Sequence, residues 1–393
     1  MRLAINAGAT KMGGAVTYLS DLLRHLPPPE SGHEFLIMLP RETVKALPGL
    51  PPHIKLFPTP AGSQAWWKRL VWDQVTLRRL VKRMRADVLY SAANFGLLYC
   101  PVPQVLLLQN PLYFSDVYHR VFLPRYGSSV RLKLWLRRWL MLASVRHSDL
   151  VMTPTQALLD GLRRAGRVSP AKTMVNPYGV SLPDEARGGA APVPSDARQG
   201  KAAPSVGLLY VSLYTDYKNL GTLLKALPLL NHNGGRRFAL TTTVNPDSET
   251  WPVTHGEDMR LARSAAIAPL VRFSGRLTRQ ETLEAYRRAD IFVFPSMVES
   301  FGFPMAEAMA VGLPVVAADT ELNREICGDA ALYFEPLDPQ DLASQVERVA
   351  SDRDLQARLS AAGRQRVTQR FRWEDHVRRL IDGATRLASH GNS

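Results

Sequence analysis

The sequence predicts an α/β protein built from two parallel sheets, each covered by helices. Three observations carry this. Short apolar runs, "RLAINA", "HEFLIML", "ADVLYSA", "QVLLLQN" and "DLVMTPT", alternate with helical patterns through the first half. Runs of this kind, without polar alternation, suit strands buried on both faces, as in parallel sheets. A second series, "VGLLYVS", "RFALTTTV", "VRFSGRL", "DIFVFPS", "PVVAAD" and "AALYFEP", repeats the arrangement in the second half. Between them lies "PDEARGGAAPVPSDARQGKAAP", rich in Pro, Gly and Ala, the composition of a flexible linker.

Each element follows from local pattern. "RLAINA" leads through a glycine-containing turn into a helix with Tyr18, Leu19, Leu22 and Leu23 on one side, and "TMVNPYGV" closes the first half. In the second half, "ETLEAYRRA" and "FPMAEAMAVG" are the helices between strands, and "FRWEDHVRRLIDGATRLASH" is one more, with Trp373 and Leu380 as apolar anchors. The expected organisation of the 393 residues is a Rossmann-like domain over 1–182, the linker over 183–204, a second Rossmann-like domain over 205–370 and a terminal helix over 371–390. Open α/β sheets bind ligands at the carboxyl ends of their strands, so a cleft between the two sheets is the expected site.

Composition narrows the class. With 46% hydrophobic residues the chain can bury cores and does not read as disordered. Its two cysteines, Cys100 and Cys327, stand far apart without a Cys/His cluster. That excludes a disulfide framework or zinc-finger spacing and fits a reducing cytoplasmic compartment. The N-terminus "MRLAINAGATKMGGAV" lacks the pattern of a signal peptide, and no apolar run is long enough to span a membrane. A soluble or peripheral protein is expected. The net charge of +14 is local: residues 66–85 carry seven Lys/Arg and one Asp (+6), and residues 117–148 carry seven Lys/Arg and no acid (+7). An anionic partner for the first half follows.

The chemistry concentrates in "PSMVESFGFPMAEAMAVGLPVV", residues 295–316. A strand ends before it, and a helix is expected to start near Pro304, a favoured first-turn residue. The backbone N–H groups of Phe301, Gly302 and Phe303 would then lie at a helix N-terminus, which attracts anions, and Gly302 permits close approach of a ligand. Glu307 is expected in the first helical turn, where dipole placement alone can account for it; a ribose diol is its other use. Glu299, on the loop, suits a polyhydroxylated ligand. Lys218 in "YTDYKNLGTLL" lies between a strand and a helix and reads either as a solvated lysine or as a cation at the cleft edge. Gly13 and Gly14 form a βα turn without a GxGxxG fingerprint. Gln109 and Asn110, at the end of "VLLLQN", can bond sugar hydroxyls but cannot take a proton at neutral pH.

The stretch "ESFGFPMAEAMAVGLPVVAAD" resembles the retaining glycosyltransferases of family four, whose mark is two glutamates with seven residues between them. Gly13-Gly14 with Tyr18, "NPYGV", "YKN", "DIFVFPS" and "GDAALYFEP" extend the resemblance over most of the chain. It implies the glycosyltransferase-B architecture, with the C-terminal helix crossing back to the first domain. It also implies transfer of a hexosyl group (mannosyl, glucosyl or rhamnosyl) from a nucleoside diphosphate sugar to a glycan or lipid-linked acceptor, in envelope polysaccharide or lipopolysaccharide synthesis. By the same resemblance Glu307 binds ribose, and the two catalytic residues are Glu299, which holds donor-sugar hydroxyls, and Lys218, which neutralises the leaving diphosphate. Phe301, Gly302, Phe303, Pro304, Gly13 and Gly14 line the donor, and Leu277 marks base contact through backbone. The family's arginine five or six residues before the lysine is replaced here by Leu213 or Ser212. No cofactor or metal ion is expected, on the reading that no Asp-x-Asp occurs anywhere in the chain to hold a divalent ion.

The basic segments suit a surface that meets anionic lipid at the inner face of the plasma membrane. In "WWKRLVWDQVTLRRLVKRMR", Trp66, Leu70, Leu77, Val81 and Met84 form the expected core stripe, and Trp72 and Val75 interrupt the basic face. No nucleic-acid module is recognisable, so nucleic acid is not an expected partner. The rival readings are a synthase or phosphorylase of the same fold, or a catalytically weak partner subunit.

Overall fold

The computed structural model describes the whole chain except residues 9–13, 45–52, 61–65, 93, 167, 182–204, 233–234, 248–251 and 391–393. The expected linker, residues 183–204, and Gly13 therefore lie outside the described residues. The chain forms two units: Met1–Ser115 with Ser128–Gly179 and Phe371–Ser393, and Asp116–Gly127 with Val180–Arg370.

The first unit holds a seven-stranded parallel sheet of β1 (Arg2–Asn6), β2 (Glu34–Pro40), β3 (Ile54–Thr59), β4 (Val88–Ser91), β5 (Gln104–Leu107), β6 (Leu150–Thr153) and β7 (Thr173–Val175). Its order is β3-β2-β1-β4-β5-β6-β7, the doubly wound arrangement with its switch point between β1 and β4. The apolar runs behave as expected: every residue of β4 and β5 is buried.

Helices α1 (Gly14–Arg24), α2 (Arg41–Val44), α3 (Trp66–Trp72), α4 (Arg78–Arg83), α5 (Ser128–Arg146) and α6 (Gln156–Ala165) connect the strands. Leu89 lies beside Gln104, and Ser91 beside Leu106, so Leu89 and Leu106 point to the same face of the sheet. Leu77 and Val81 pack with Leu89, while Met141 and Val145 pack with Leu106. The two basic segments, separate in sequence, thus cover one sheet face.

Between α3 and α4 the helix widens to a π turn over Asp73–Leu77. That turn shifts the side-chain register and corrects the periodicity reading. Trp72 packs against the core, whereas Val71 and Val75 are the exposed apolar residues. Asp73 is turned inward, 5% exposed, with the Arg69 Nε 3.7 Å from its Oδ2. Burial pushes its carboxyl up to about 6.

The second unit has a six-stranded parallel sheet of β8 (Ser205–Tyr210), β9 (Arg237–Thr242), β10 (Val271–Phe273), β11 (Ile291–Phe294), β12 (Val315–Ala318) and β13 (Ala331–Phe334). Its order, β10-β9-β8-β11-β12-β13, repeats the first sheet's plan. Its helices are α7 (Leu220–Leu230), α8 (Pro252–Ala262), α9 (Arg279–Arg288), α10 (Phe303–Ala310), α11 (Glu321–Cys327), α12 (Pro339–Ser351) and α13 (Arg353–Arg370).

The last helix, α14 (Trp373–His390), returns to the first unit. Trp373, Val377 and Leu380 are buried there. A Cβ on Gly179 would come within 2.4 Å of the Trp373 backbone nitrogen, so only glycine fits. His376 is fully enclosed in a hydrogen-bonded chain. Its Nδ1 lies 3.0 Å from the Pro177 carbonyl, which can only accept, so Nδ1 donates and Nε2 accepts from the Tyr18 hydroxyl at 3.1 Å. Tyr18 in turn meets Tyr90 at 2.5 Å, and Asn176 donates to the His376 carbonyl at 3.0 Å.

Burial lowers the His376 pKa to about 4. The unfolded imidazole titrates at about 6.5, so between these values the unfolded chain binds more protons and stability falls as pH falls. The contribution lost between pH 7 and pH 5 is about 2 kcal/mol. Thermal melts of the wild type and His376→Gln at both pH values check this: the wild type loses more stability on acidification than the variant.

Candidate donor-nucleotide site

The site is built from the loops after β8 and β11, the strands on either side of the switch point in the second sheet. After β8 the chain is pinned by Thr243, whose hydroxyl accepts from the Ser212 N–H at 2.8 Å and donates to the Ser212 carbonyl at 3.0 Å. A single 3-10 turn follows over Asp216–Lys218, closed by Asn219 in the left-handed region at φ 56°. That conformation is uncommon outside glycine, though asparagine tolerates it. Thr222 holds it by donating to the Asn219 side chain at 2.8 Å. The buried Tyr210 hydroxyl donates to the Lys218 carbonyl at 2.9 Å. The Met297 N–H, on the β11 loop, donates to the Tyr217 carbonyl at 2.9 Å. The backbone carrying Lys218 is therefore fixed from both loops.

The Lys218 Nζ forms an ion pair with Glu299, and the two side chains are only 19% and 12% exposed. Read from sequence as separate subsites, the two residues are joined in the structure. Both charges are largely removed from water, so each depends on the other.

Beyond Glu299, Asn323 on α11 donates to the Ser296 carbonyl at 3.2 Å and fixes the loop. Phe301 is fully buried and stacks edge-on against Phe303, ring centroids 5.1 Å apart, so its side chain belongs to the core. Gly302 caps α10 at φ 79°, ψ 50°. A side chain there would be strained and would crowd the Met305 methyl at 3.2 Å. Phe303 and Pro304 open the helix as expected, both half-buried. Glu307 does not lie in the first turn: it is the fifth residue of α10, and the first turn holds no acid. Dipole placement at the helix start therefore does not account for it. Instead one carboxylate oxygen accepts from the buried Tyr286 hydroxyl at 3.0 Å. Burial, reinforced by the Glu307 charge, raises the Tyr286 pKa, so the phenol stays a donor. Tyr286 was not singled out from sequence; in "ETLEAYRRA" it is indistinguishable from a core aromatic.

Leu277 lies elsewhere. With Gly207, Leu208, Thr241, Arg272 and Ser274 it lines a cavity of about 380 Å³ beside α9. Lys218, Glu299 and Glu307 do not line it. In the first unit Gly14 is the first residue of α1. The Gln109 side chain is engaged locally: it accepts from Tyr178 at 3.1 Å and donates to the Ala92 carbonyl at 3.1 Å. Asn110 caps a short turn by accepting from the Leu112 N–H at 3.0 Å. An Asp-x-Asp does occur away from the motif loops, at Asp352-Arg353-Asp354. There Asp352 accepts from the Leu355 N–H at 2.9 Å, a helix-capping arrangement at the start of α13.

Comparison with known proteins agrees with this architecture. The family described as "Glycosyl transferases group 1" matches residues 196–366, and "Glycosyltransferase Family 4" matches residues 12–183. The serotype-specific mannosyltransferase WbdA of Escherichia coli is 28% identical over 186 residues, 47% of this chain and 22% of that protein. The chain spans about a fifth to about half the length of the curated relatives it matches first. The sucrose-phosphate synthase of Thermosynechococcus elongatus superposes with a TM-score of 0.75 at 18% identity, over 99% of both chains. Anabaena Alr3699/HepE in complex with UDP-glucose gives 0.71 at 18% identity, over 98% of this chain and 99% of that one. These structures share the glycosyltransferase-B fold, and with both halves matched the chain belongs to glycosyltransferase family four.

Proposed function

We propose that this protein transfers a hexosyl residue from a nucleoside diphosphate sugar to a glycan or lipid-linked acceptor, with retention of configuration and without a metal ion. The observation that carries the reading is the Lys218–Glu299 pair, held rigidly on the two loops that flank the switch point. Support comes from Glu307, fixed by Tyr286 one turn into α10, and from UDP-glucose bound to the similarly folded Alr3699/HepE.

In this reading Glu307 accepts from the ribose hydroxyls and Lys218 faces the diphosphate. Glu299 accepts from hydroxyls of the donor sugar while keeping Lys218 in place. The glycosidic bond from C1 to the diphosphate oxygen breaks as the acceptor oxygen bonds C1 on the same face. The acceptor proton passes to the departing diphosphate oxygen, giving a glycoside and a nucleoside diphosphate. Stabilising the charge that develops on the diphosphate is the main contribution asked of Lys218. The backbone at Gly302 and the start of α10 add N–H dipoles, and Phe301, Phe303 and Pro304 shape that turn. Gly14, together with Gly13 outside the described residues, is kept as a proposed donor contact. Gln109 and Asn110, already bonded locally, would reach sugar through the bonding capacity that remains. Leu277 is kept as a proposed base contact.

The acceptor is proposed to be membrane-associated. On α5, Leu132, Trp135 and Trp139 are 53–64% exposed beside Arg131, Lys133, Arg137 and Arg138. The sheet face shared with α3 and α4 adds exposed Val71 and Val75. Exposed tryptophans among cations suit the interface of an anionic bilayer, where each cation contributes about 1 kcal/mol. Among the described residues no helix is long and apolar enough to cross a membrane. Envelope polysaccharide or lipopolysaccharide synthesis at the cytoplasmic face would need such contact.

Three outcomes are expected. Incubation with UDP-, GDP- and dTDP-hexoses identifies one donor that is consumed; with it, Lys218→Ala lowers kcat by about a hundredfold or more, while Glu307→Ala chiefly raises the donor KM. Steady-state kinetics separate the two, and wild-type transfer by both variants would refute the assignment. Chemical denaturation of Lys218→Met and Glu299→Gln shows each less stable than wild type by about 1–3 kcal/mol, with the double variant less destabilised than the sum of the two. Sedimentation with vesicles shows stronger binding to anionic than to neutral lipid, weakened in Trp135→Ala/Trp139→Ala; equal binding to both lipids rules out the membrane reading.

A further inference from the structure

One segment stands out as unused by the reading above. Residues 116–127 lie in sequence between β5 and α5 of the first unit, yet they pack within the second. They form a π turn over Tyr118–Phe122 and a 3-10 turn over Leu123–Arg125. Their partners are the two residues immediately before Lys218. The Tyr217 ring meets Tyr118 edge-on at 5.9 Å and 82°, and meets Phe122 at 6.4 Å and 79°. Tyr118 and Phe122 are 1% and 2% exposed and stack on each other at 6.3 Å. The Tyr126 hydroxyl donates to the Asp216 Oδ2.

Asp216 is 5% exposed, and its other carboxylate oxygen is buried without a hydrogen bond. A buried carboxylate with so few donors depends on each one it has. Asp216, Tyr217 and Lys218 form one 3-10 turn, and Asn219 ends it in a constrained conformation. Because the three residues share one short turn, a shift at Asp216 would be passed to the lysine at its other end.

We propose that Tyr126, acting through Asp216, is a positioning residue that sets the Lys218 ammonium against the leaving diphosphate, with Tyr118 and Phe122 clamping the same turn through Tyr217. The proposal rests on the reading of Lys218 as the cation facing that diphosphate. It adds a part of the site that comes from the N-terminal half of the chain.

The test is the rate of nucleoside diphosphate release from UDP-glucose, GDP-mannose or dTDP-rhamnose, whichever the wild type consumes. Tyr126→Phe keeps the ring and removes only the donor. It is expected to lower kcat by about tenfold to a hundredfold, as misplacing a reacting group by about 1 Å does, with donor KM close to wild type and a melting temperature lowered only as far as the loss of one buried hydrogen bond requires. Asp216→Asn, which still accepts from Tyr126, retains more activity than Asp216→Ala. Tyr126→Phe combined with Asp216→Ala is no slower than Asp216→Ala alone, because both act on one path. Tyr99→Phe, an exposed control, is unchanged. Wild-type kcat in Tyr126→Phe, a loss of stability without a change in kcat, or additive effects in the double variant would overturn the proposal while a slow Lys218→Ala left the Lys218 reading standing. Wild-type turnover by Lys218→Ala, or a wild type that consumes none of the three donors, overturns both.

Discussion

The ion pair between Lys218 and Glu299 is the constraint around which the second unit's loops are arranged. A lysine and a glutamate this far removed from water are costly separately and acceptable together. Their pairing requires that the loops after β8 and β11 meet at a fixed separation. The bond from the Met297 N–H to the Tyr217 carbonyl and the Tyr210 hydroxyl on the Lys218 carbonyl keep that separation. Parallel topology makes the meeting feasible, because adjacent parallel strands deliver their carboxyl-end loops side by side.

The same pair reconciles a charged site with a stable ligand-free protein. In the proposed function Glu299 would serve as counterion until a diphosphate arrives, and the diphosphate would then offer Lys218 further anionic oxygens. Little reorganisation is needed, since the turn carrying the lysine is already fixed. Preorganised charge of this kind is more effective than a flexible lysine, which would lose rotamer freedom on binding. Tyr286 does the equivalent for Glu307, by holding one of its carboxylate oxygens in place.

Much of this was legible in the sequence, and the failures have physical causes. The apolar runs reported the strands because parallel strands are buried on both faces, and the glutamate spacing with Gly302 reported the loop-to-helix turn. What pattern reading missed were contacts between residues far apart in sequence. Lys218 and Glu299 are 81 positions apart, and nothing local in either motif encodes their pairing. Glu307 was placed one turn too early because the helix begins at Phe303 and its first turn ends before the glutamate. The stripe's Leu77, Val81 and Met84 do face the core, but the π turn at Asp73–Leu77 also brings Trp72 and Asp73 inward, which a stripe drawn at the α-helical period does not show. Gln109 was read as available because its partners, Tyr178 and Ala92, come from other strand ends.

The aromatic segment at residues 116–127 also governs how this fold can be recombined. Exchanging halves between relatives is attractive where one half is thought to choose the acceptor and the other the donor, and the natural cuts would fall near 180 and 370. Such a cut separates Tyr217 from Tyr118 and Phe122, and Asp216 from Tyr126. The transplanted half would then meet a foreign version of the clamp on its own lysine turn. Residues 116–127 should travel with the C-terminal half, so the modular boundary of this protein is discontinuous in sequence.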